Sequence, residues 1–440
     1  MEEHTRYIIR QKLVDSLTAE LPELTERDVW LPQVPGKAMA IIGMRRAGKT
    51  SFMWQQIARR HASGTAREGL IYFSFEDDRL AGLGTEHLDL LVDEYFLLHP
   101  EWRSSRRAAF FLDEIQCVPG WERFIRRLLD TEKIDIFLSG SSAKLLSREV
   151  ATSMRGRAME ATVTPFSFRE FLRHHKNEPA VAPHRFSKAM RSQTSHFLLR
   201  YLVEGGFPEA QNLDQRSRLE LLRSYIDVVL LRDVSERHNI SQPQVLRWLV
   251  QQLLGNGAGS FSINKFHSDL RSRGVSVGKE TLHDMLAHLE DAFLVKTLKL
   301  CTESVRRQQV NARKVYPVDQ SLMALFDRSG KENTGHALET AVLHELLRMG
   351  AELSYLHTRS GYEVDFVAQF PDGTTWLVQV CLDLTDTQTL QREARALTDA
   401  EAEWPAARRM LIALHRPAVL DLPTGIECHS AVDCLLGRWQ

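Results

Sequence analysis

The stretch GMRRAGKT, Gly43 to Thr50, constrains this chain more than any other feature. It fits the pattern G-x-x-x-x-G-K-S/T. An apolar run, AMAII, stands before it, and KTSFMWQQIARRHA, with helical periodicity, follows. A strand, a tight loop and a helix in that order make a cradle for phosphate. Gly43 and Gly48 let the backbone turn so that its N–H groups point at phosphate oxygens. Lys49 reaches the β- and γ-phosphates, and the Thr50 hydroxyl binds Mg²⁺. The helix adds its positive N-terminal end. The spacing therefore predicts an ATP·Mg²⁺ site lined by Gly43, Arg45, Arg46, Ala47, Gly48, Lys49, Thr50 and Ser51. Arg45 and Arg46 either meet phosphate or a nearby acid, or face solvent at the loop tip. A glycine turn with an incidental lysine is the bland alternative, and it does not require the flanking strand and helix.

Further apolar runs alternate with helical patterns: GLIYFSFED, AAFFLDE and IDIFLSG read as strands, HLDLLVDEYFLLH and WERFIRRLLDTE as helices. Such alternation implies a parallel sheet covered on both faces. FFLDE closes on Asp113 and Glu114, which places two carboxylates at the carboxyl edge of the sheet, where ligands of α/β folds bind. Asp113 would hold Mg²⁺, and Glu114 would orient or deprotonate the attacking water. A pair of acids favourable at a helix N-terminus is the plain alternative. IDIFLSGSS ends in Ser139, Ser141 and Ser142. Ser141 is the candidate polar sensor of the γ-phosphate, or else a cap for the helix AKLLSRE.

The chain has 440 residues, enough for about three domains. A net charge of −1 excludes a whole-chain field that draws it to nucleic acid or membrane. The five cysteines are scattered, with no CxxC pair, so neither a disulfide framework nor a zinc site is expected. MEEHTRYIIRQKL is too charged for a signal peptide. No apolar run approaches the ~20 residues of a membrane helix. A cytoplasmic protein with no membrane partner is the expectation.

After residue 165 the pattern changes. FSFREFLRHH, SHFLLRYLVEG and SRLELLRSYIDVVLLRDV are helical without strands between them. From about residue 336 the chain turns mixed again, with YEVDFVAQF and TTWLVQVCL as strands joined by the turn PDG. The expected divisions are an ATPase domain over 1–165, a helical lid over 166–242, a winged-helix-like domain over 243–325 and a small α/β domain over 326–440.

GMRRAGKT, FFLDEIQ, FLSGSSAKLLSRE, MRGRAMEATVTPFSFREFL and YLVEGGFPEA occur in that order. Together they resemble prokaryotic AAA+ ATPases related to the archaeal and STAND-like NTPases. The resemblance implies an α/β P-loop domain in which Lys49 and Thr50 bind phosphate and Mg²⁺. Asp113 and Glu114 match the acidic pair, and Ser141 matches the sensor position loosely. Arg155 or Arg157 becomes a candidate arginine finger, acting in cis or from a second copy in a homo-oligomer; both arginines otherwise pair with acids such as Glu149 or Glu160. A finger at a transferring phosphoryl group is worth ~10³-fold or more.

Phe261 to Leu300 looks like a winged helix-turn-helix, with a recognition helix around Lys279–His288. Glu280, Asp284 and Glu290 in that region repel phosphate. The better footprint for double-stranded DNA is residues 306–314, with Arg306, Arg307, Arg313 and Lys314. Packing or dimerisation is the alternative use, and a protein partner is open. The last hundred residues resemble the restriction-endonuclease-like PD-(D/E)xK fold through Glu339 and Asp365. That family's E-x-K triplet is replaced here by Gln379, Val380 and Cys381. Glutamine and cysteine supply neither the metal-binding charge nor the lysine cation, so a degenerate, inactive nuclease fold is expected. Three functions follow: an ATPase switch coupled to DNA, a nucleotide-dependent oligomerising scaffold, and, least favoured, an ATP-gated nuclease.

Overall fold

The computed structural model describes residues 2–32, 34–104, 106–140, 154, 156–326, 333–415, 421–437 and 439. The chain divides into two compact units, residues 1–164 and 165–440.

The first unit is built on a parallel sheet of five strands: β1 (Ala38–Ile42), β2 (Leu70–Ser74), β3 (Ala108–Asp113), β4 (Ile134–Gly140) and β5 (Ala158–Thr162). Their spatial order is β2-β3-β4-β1-β5. β1 and β3 are buried along their whole length, which is why they read as unbroken apolar runs. β5 was not foreseen. It is an edge strand, and of its side chains only Ala161 is buried, so it lacks the apolar signature. Helix α1 (Glu2–Thr18) opens the unit, followed by α2 (Lys49–Ala62), α3 (Leu88–Leu98), the short α4 (Glu101–Ser104) and α5 (Trp121–Thr131). α5 buries Trp121, Phe124, Ile125 and Leu128, the i, i+3, i+4, i+7 stripe of an amphipathic helix. Phe52, Met53 and Ile57 of α2 pack over Ile41, Phe111 and Phe137. The rings of Phe111 and Phe137 stack with centroids 4.5 Å apart. α1 is tied down by charge as well as packing: Arg6 and Arg10 lie 3.0 and 2.7 Å from the buried Glu94.

The second unit begins with α6 (Phe168–His174), which opens in a reciprocal capping box between Ser167 and Glu170. α7 (Lys188–Glu204), α8 (Gln215–Val228) and α9 (Pro243–Gly255) follow, and α8 runs directly into a π-helical stretch, Val229–Glu236. α7 ends at Gly205–Gly206, where a Cβ on Gly206 would overlap the Phe166 backbone and the Gly206 N–H donates to buried Asp319 at 2.7 Å. Next come β6 (Ser260–Phe261), α10 (Ile263–Ser272), α11 (Lys279–Asp291), β7 (Val295–Leu298), α12 (Val305–Val310) and β8 (Arg313–Pro317). The three strands form an antiparallel sheet ordered β6-β8-β7.

The same unit ends in α13 (Thr334–Arg348), β9 (Glu352–His357), β10 (Glu363–Gln369), β11 (Thr375–Asp383), α14 (Thr387–Ala400), β12 (Arg408–His415), β13 (Ile426–Ser430) and α15 (Ala431–Leu435). The sheet order is β13-β12-β11-β10-β9, antiparallel through β9-β10-β11 and parallel through β11-β12-β13. Side chains alternate between its faces: Phe366, Val378 and Ile412 share a core with α13, whereas Val367, Leu377 and Ala413 share one with α14. Among the described residues no helix is long and apolar enough to cross a membrane.

Candidate active site

The loop after β1 has the backbone the glycines were read to provide. Gly43 has φ 144° and Gly48 φ 99°, conformations that side chains other than glycine's resist. A Cβ on Gly43 would also overlap the Val163 carbonyl. Lys49 opens α2 and is 6% exposed. Its Nζ donates to the carbonyls of Gly43 and Met44, both at 3.0 Å, so the loop folds around its own lysine. Arg45 lies 3.8 Å from Glu76, and Arg46 is exposed with φ 66°.

Asp113, at the end of β3, is 4% exposed. Its Oδ2 accepts from Thr50 Oγ1 at 2.9 Å and from Tyr72 Oη at 2.6 Å. Its Oδ1 accepts from Ser139 Oγ. The Ser139 oxygen in turn accepts from the Glu114 N–H at 3.2 Å. One serine thus sets the spacing of both carboxylate-bearing residues. Parallel pairing makes this possible: Ser74 is opposite Asp113, and Leu112 opposite Leu138, so the ends of β2, β3 and β4 meet at one edge. Burial and the negative Asp113 beside it push the Tyr72 phenol well above its ordinary range. Tyr72 therefore stays a donor.

Glu114 sits in the left-handed region at φ 53°, a backbone cost of about 1 kcal/mol. That turn carries it out of the strand, and Gln116 Nε2 donates to its carboxylate. Burial raises the Glu114 carboxyl above the ordinary range, Lys49 pulls it back, and Asp113 adds to the rise. The structure thus gathers Lys49, Thr50, Asp113 and Glu114 at one sheet edge. The donor set fits a Mg²⁺ ion: Thr50 and Asp113 are hard oxygen ligands beside a phosphate cradle.

A family described as an AAA domain matches residues 35–172, and one described as a domain of unknown function (DUF8612) matches residues 195–332. The uncharacterized protein MJ1544 of Methanocaldococcus jannaschii is 32% identical over 400 residues, which is 90% of this chain and 86% of that one. The chain belongs to the family of this archaeal protein. Its first unit is an AAA-type P-loop ATPase domain. An uncharacterized protein of Haemophilus influenzae is 28% identical over 347 residues, 79% of this chain and 82% of that one. Among solved structures, the Walker-type ATPase PABY2304 of Pyrococcus abyssi is similar, at 14% identity and a TM-score of 0.43, over 73% of this chain and 95% of that one.

Of the other residues singled out in the AAA domain, Ser141 and Arg155 lie outside the described residues. Arg157 forms an ion pair with Asp130 rather than with Glu160. Two residues at the site went unread in the sequence. Tyr72 is one. The other is Arg27, 4% exposed, whose Nη1 donates to the Ala47 carbonyl at 3.0 Å and whose Nη2 donates to the Thr164 carbonyl at 2.5 Å. Arg27 braces the phosphate loop from behind.

The second unit holds a separate polar cluster, and it corrects one expectation. Lys314 was assigned to a basic surface for DNA. It is 4% exposed, and its Nζ lies 3.0 Å from Glu339, 2.8 Å from Glu363 and 2.9 Å from Asp365. It is therefore absent from any DNA-facing surface. Arg313 is paired to Glu290 at 3.8 Å, while Arg306 and Arg307 are exposed. Gln379 accepts from the Asp365 N–H at 3.2 Å and donates to Glu393 at 2.7 Å. The Cys381 thiol donates to the Asp383 carbonyl at 3.3 Å, and burial pushes its pKa up to about 11. The metal that a nuclease-like fold would place at Glu339 and Asp365 does not fit these residues, because an ammonium occupies the point where the carboxylates converge. Among the described residues no group of three or more His, Cys, Asp or Glu could hold a metal ion.

Proposed function

We propose that this protein binds ATP with Mg²⁺ at Gly43–Thr50 and hydrolyses it to drive a conformational switch. The observation that carries the reading is the hydroxyl of Thr50 bonded to Asp113 at 2.9 Å, with Glu114 next in the chain and sharing Ser139. Bound Mg²⁺ would offset phosphate charge in the transition state. Thr50 and Asp113 would hold it, helped by Tyr72 and Ser139, which keep the Asp113 carboxylate oriented. Lys49 would exchange the Gly43 and Met44 carbonyls for phosphate oxygens. Glu114 would take the proton of the attacking water. Its raised pKa moves it toward the range where a carboxylate is an effective base. Ser141 would sense the γ-phosphate, and Arg155 or Arg157 would act as the finger, Arg157 after release from Asp130.

We also propose that the switch is coupled to double-stranded DNA through residues 260–317. Their support is the order strand, helix, turn, helix, strand, short helix and strand, with exposed Lys279, Arg306 and Arg307. A second reading, nucleotide-dependent assembly without DNA, is favoured by the burial of Lys314 and by Glu280 and Asp284 exposed on α11. Steady-state ATPase with and without duplex DNA at two salt concentrations separates them. DNA stimulation that fades with salt supports coupling. Turnover blind to DNA, with nucleotide-dependent oligomers, supports assembly.

A further inference from the structure

Lys314 is held by more than its charge. β8 pairs with both of its neighbours at this position, Ser260 of β6 and Leu298 of β7 facing Lys314 in register. The ladder therefore fixes the backbone from which the Lys314 side chain reaches the carboxylates. An ammonium has three N–H donors. Here three carboxylates take them, Glu339 of α13 and Glu363 and Asp365 of β10. Two of the acids accept further bonds. Glu339 Oε1 accepts a second bond from Tyr316 Oη at 2.7 Å, and Asp365 Oδ2 accepts from the Val380 N–H at 2.9 Å. Lys314, Glu339 and Asp365 are all buried. Burial opposes the charge on Lys314, but Asp365, Glu339 and Glu363 together outweigh it and raise its pKa above the ordinary value. Gln379 accepts from the Asp365 N–H and donates to Glu393, and the Cys381 thiol donates to the Asp383 carbonyl.

We propose that Lys314 is a built-in cation: it fills the place between Glu339, Glu363 and Asp365 that a divalent metal would take, excludes metal from it, and locks β8 to α13 and β10. A hard divalent ion would seek the same oxygens at about 2.0–2.6 Å, a spot already filled. With the lock in place, the sheet whose Glu339 and Asp365 resemble a nuclease's would carry no metal there. Metal is kept out by a residue from another sheet, in addition to the loss of the E-x-K triplet.

The test compares Mn²⁺ binding by titration calorimetry on the full chain, without nucleotide, for wild type, Asp365→Asn, Lys314→Ala and Lys314→Ala/Asp365→Asn. Wild type and Asp365→Asn take up the same amount. Lys314→Ala takes up about one more Mn²⁺ per chain, and the double variant loses it again. Reductive methylation of folded wild type followed by peptide mass spectrometry gives an arm that needs no variant. Lys314 reacts about tenfold more slowly, or slower still, than the exposed Lys279 and Lys296. The proposal is overturned if Asp365→Asn removes Mn²⁺ from wild type, or if folded Lys314→Ala gains none. Should the lysine variants fail to fold, methylation of Lys314 at the rate of Lys279 overturns it.

Discussion

The AAA domain and the C-terminal sheet each bury an aspartate at a strand, and they satisfy it in opposite ways. Asp113 is held by the hydroxyls of Thr50, Tyr72 and Ser139. Asp365 is held by the ammonium of Lys314 and by a backbone N–H. A hydroxyl orients a carboxylate and leaves its charge for an incoming cation. An ammonium neutralises it and takes the cation's place. Neutral donors leave the Asp113 charge available to the Mg²⁺ proposed there, whereas Lys314 already balances the charge of Asp365.

The largest effect that sharpens this contrast is at Glu114. Glu114→Gln should lower ATP turnover by ~10²-fold or more while nucleotide still binds, measured by steady-state hydrolysis and by fluorescent-nucleotide titration. Next is the lock. Lys314→Met strips three buried or half-buried acids of their cation and should cost about 3–5 kcal/mol, read by denaturant unfolding of the second unit. If that variant is as stable as wild type, the two aspartates do not differ as argued.

A pH profile probes the same contrast from the other side. The Glu114 carboxyl is raised above its ordinary 4.5 by burial, against the pull of Lys49 and Arg45. A base must be ionised, so activity is present above its folded pKa and lost as pH falls through it. The acid limb of the turnover profile should therefore lie above pH 4.5, and Arg45→Ala should move it higher. Smaller still is Gln379→Glu. It sets a second carboxylate against Glu393, which Gln379 now serves as donor, and should cost about 1–3 kcal/mol of stability without creating a metal site while Lys314 remains. The smallest is Tyr72→Phe. Thr50 and Ser139 still hold Asp113, so a loss of about 1 kcal/mol is expected in turnover or stability.

What could be read from the sequence was local. Gly43, Lys49 and Thr50 lie within eight residues, and each is placed by the loop itself. β1 is apolar throughout and β3 is apolar up to Asp113 because both faces are covered, so their ends and the Asp113–Glu114 pair were legible. The residues that were missed or misread act across long separations. Arg27 reaches Ala47, Tyr72 reaches Asp113, and Lys314 reaches Asp365, over 20, 41 and 51 positions. Nothing near them in the chain marks the partner. Lys314 was misread for a physical reason: VRRQQVNARK looks like a solvated basic run, and only the pairing of β8 with both neighbours turns its last residue inward. β5 lacks an apolar run because it is an edge.

Glu114 is proposed as the base at a Mg²⁺ site built by Thr50 and Asp113. The most direct test is steady-state ATP hydrolysis by wild type and Glu114→Gln at equal nucleotide occupancy, with Mg²⁺ and with EDTA. Mg²⁺-dependent turnover in wild type and near-complete loss in the variant are expected. Turnover in the variant equal to wild type, or hydrolysis unaffected by EDTA, would contradict it.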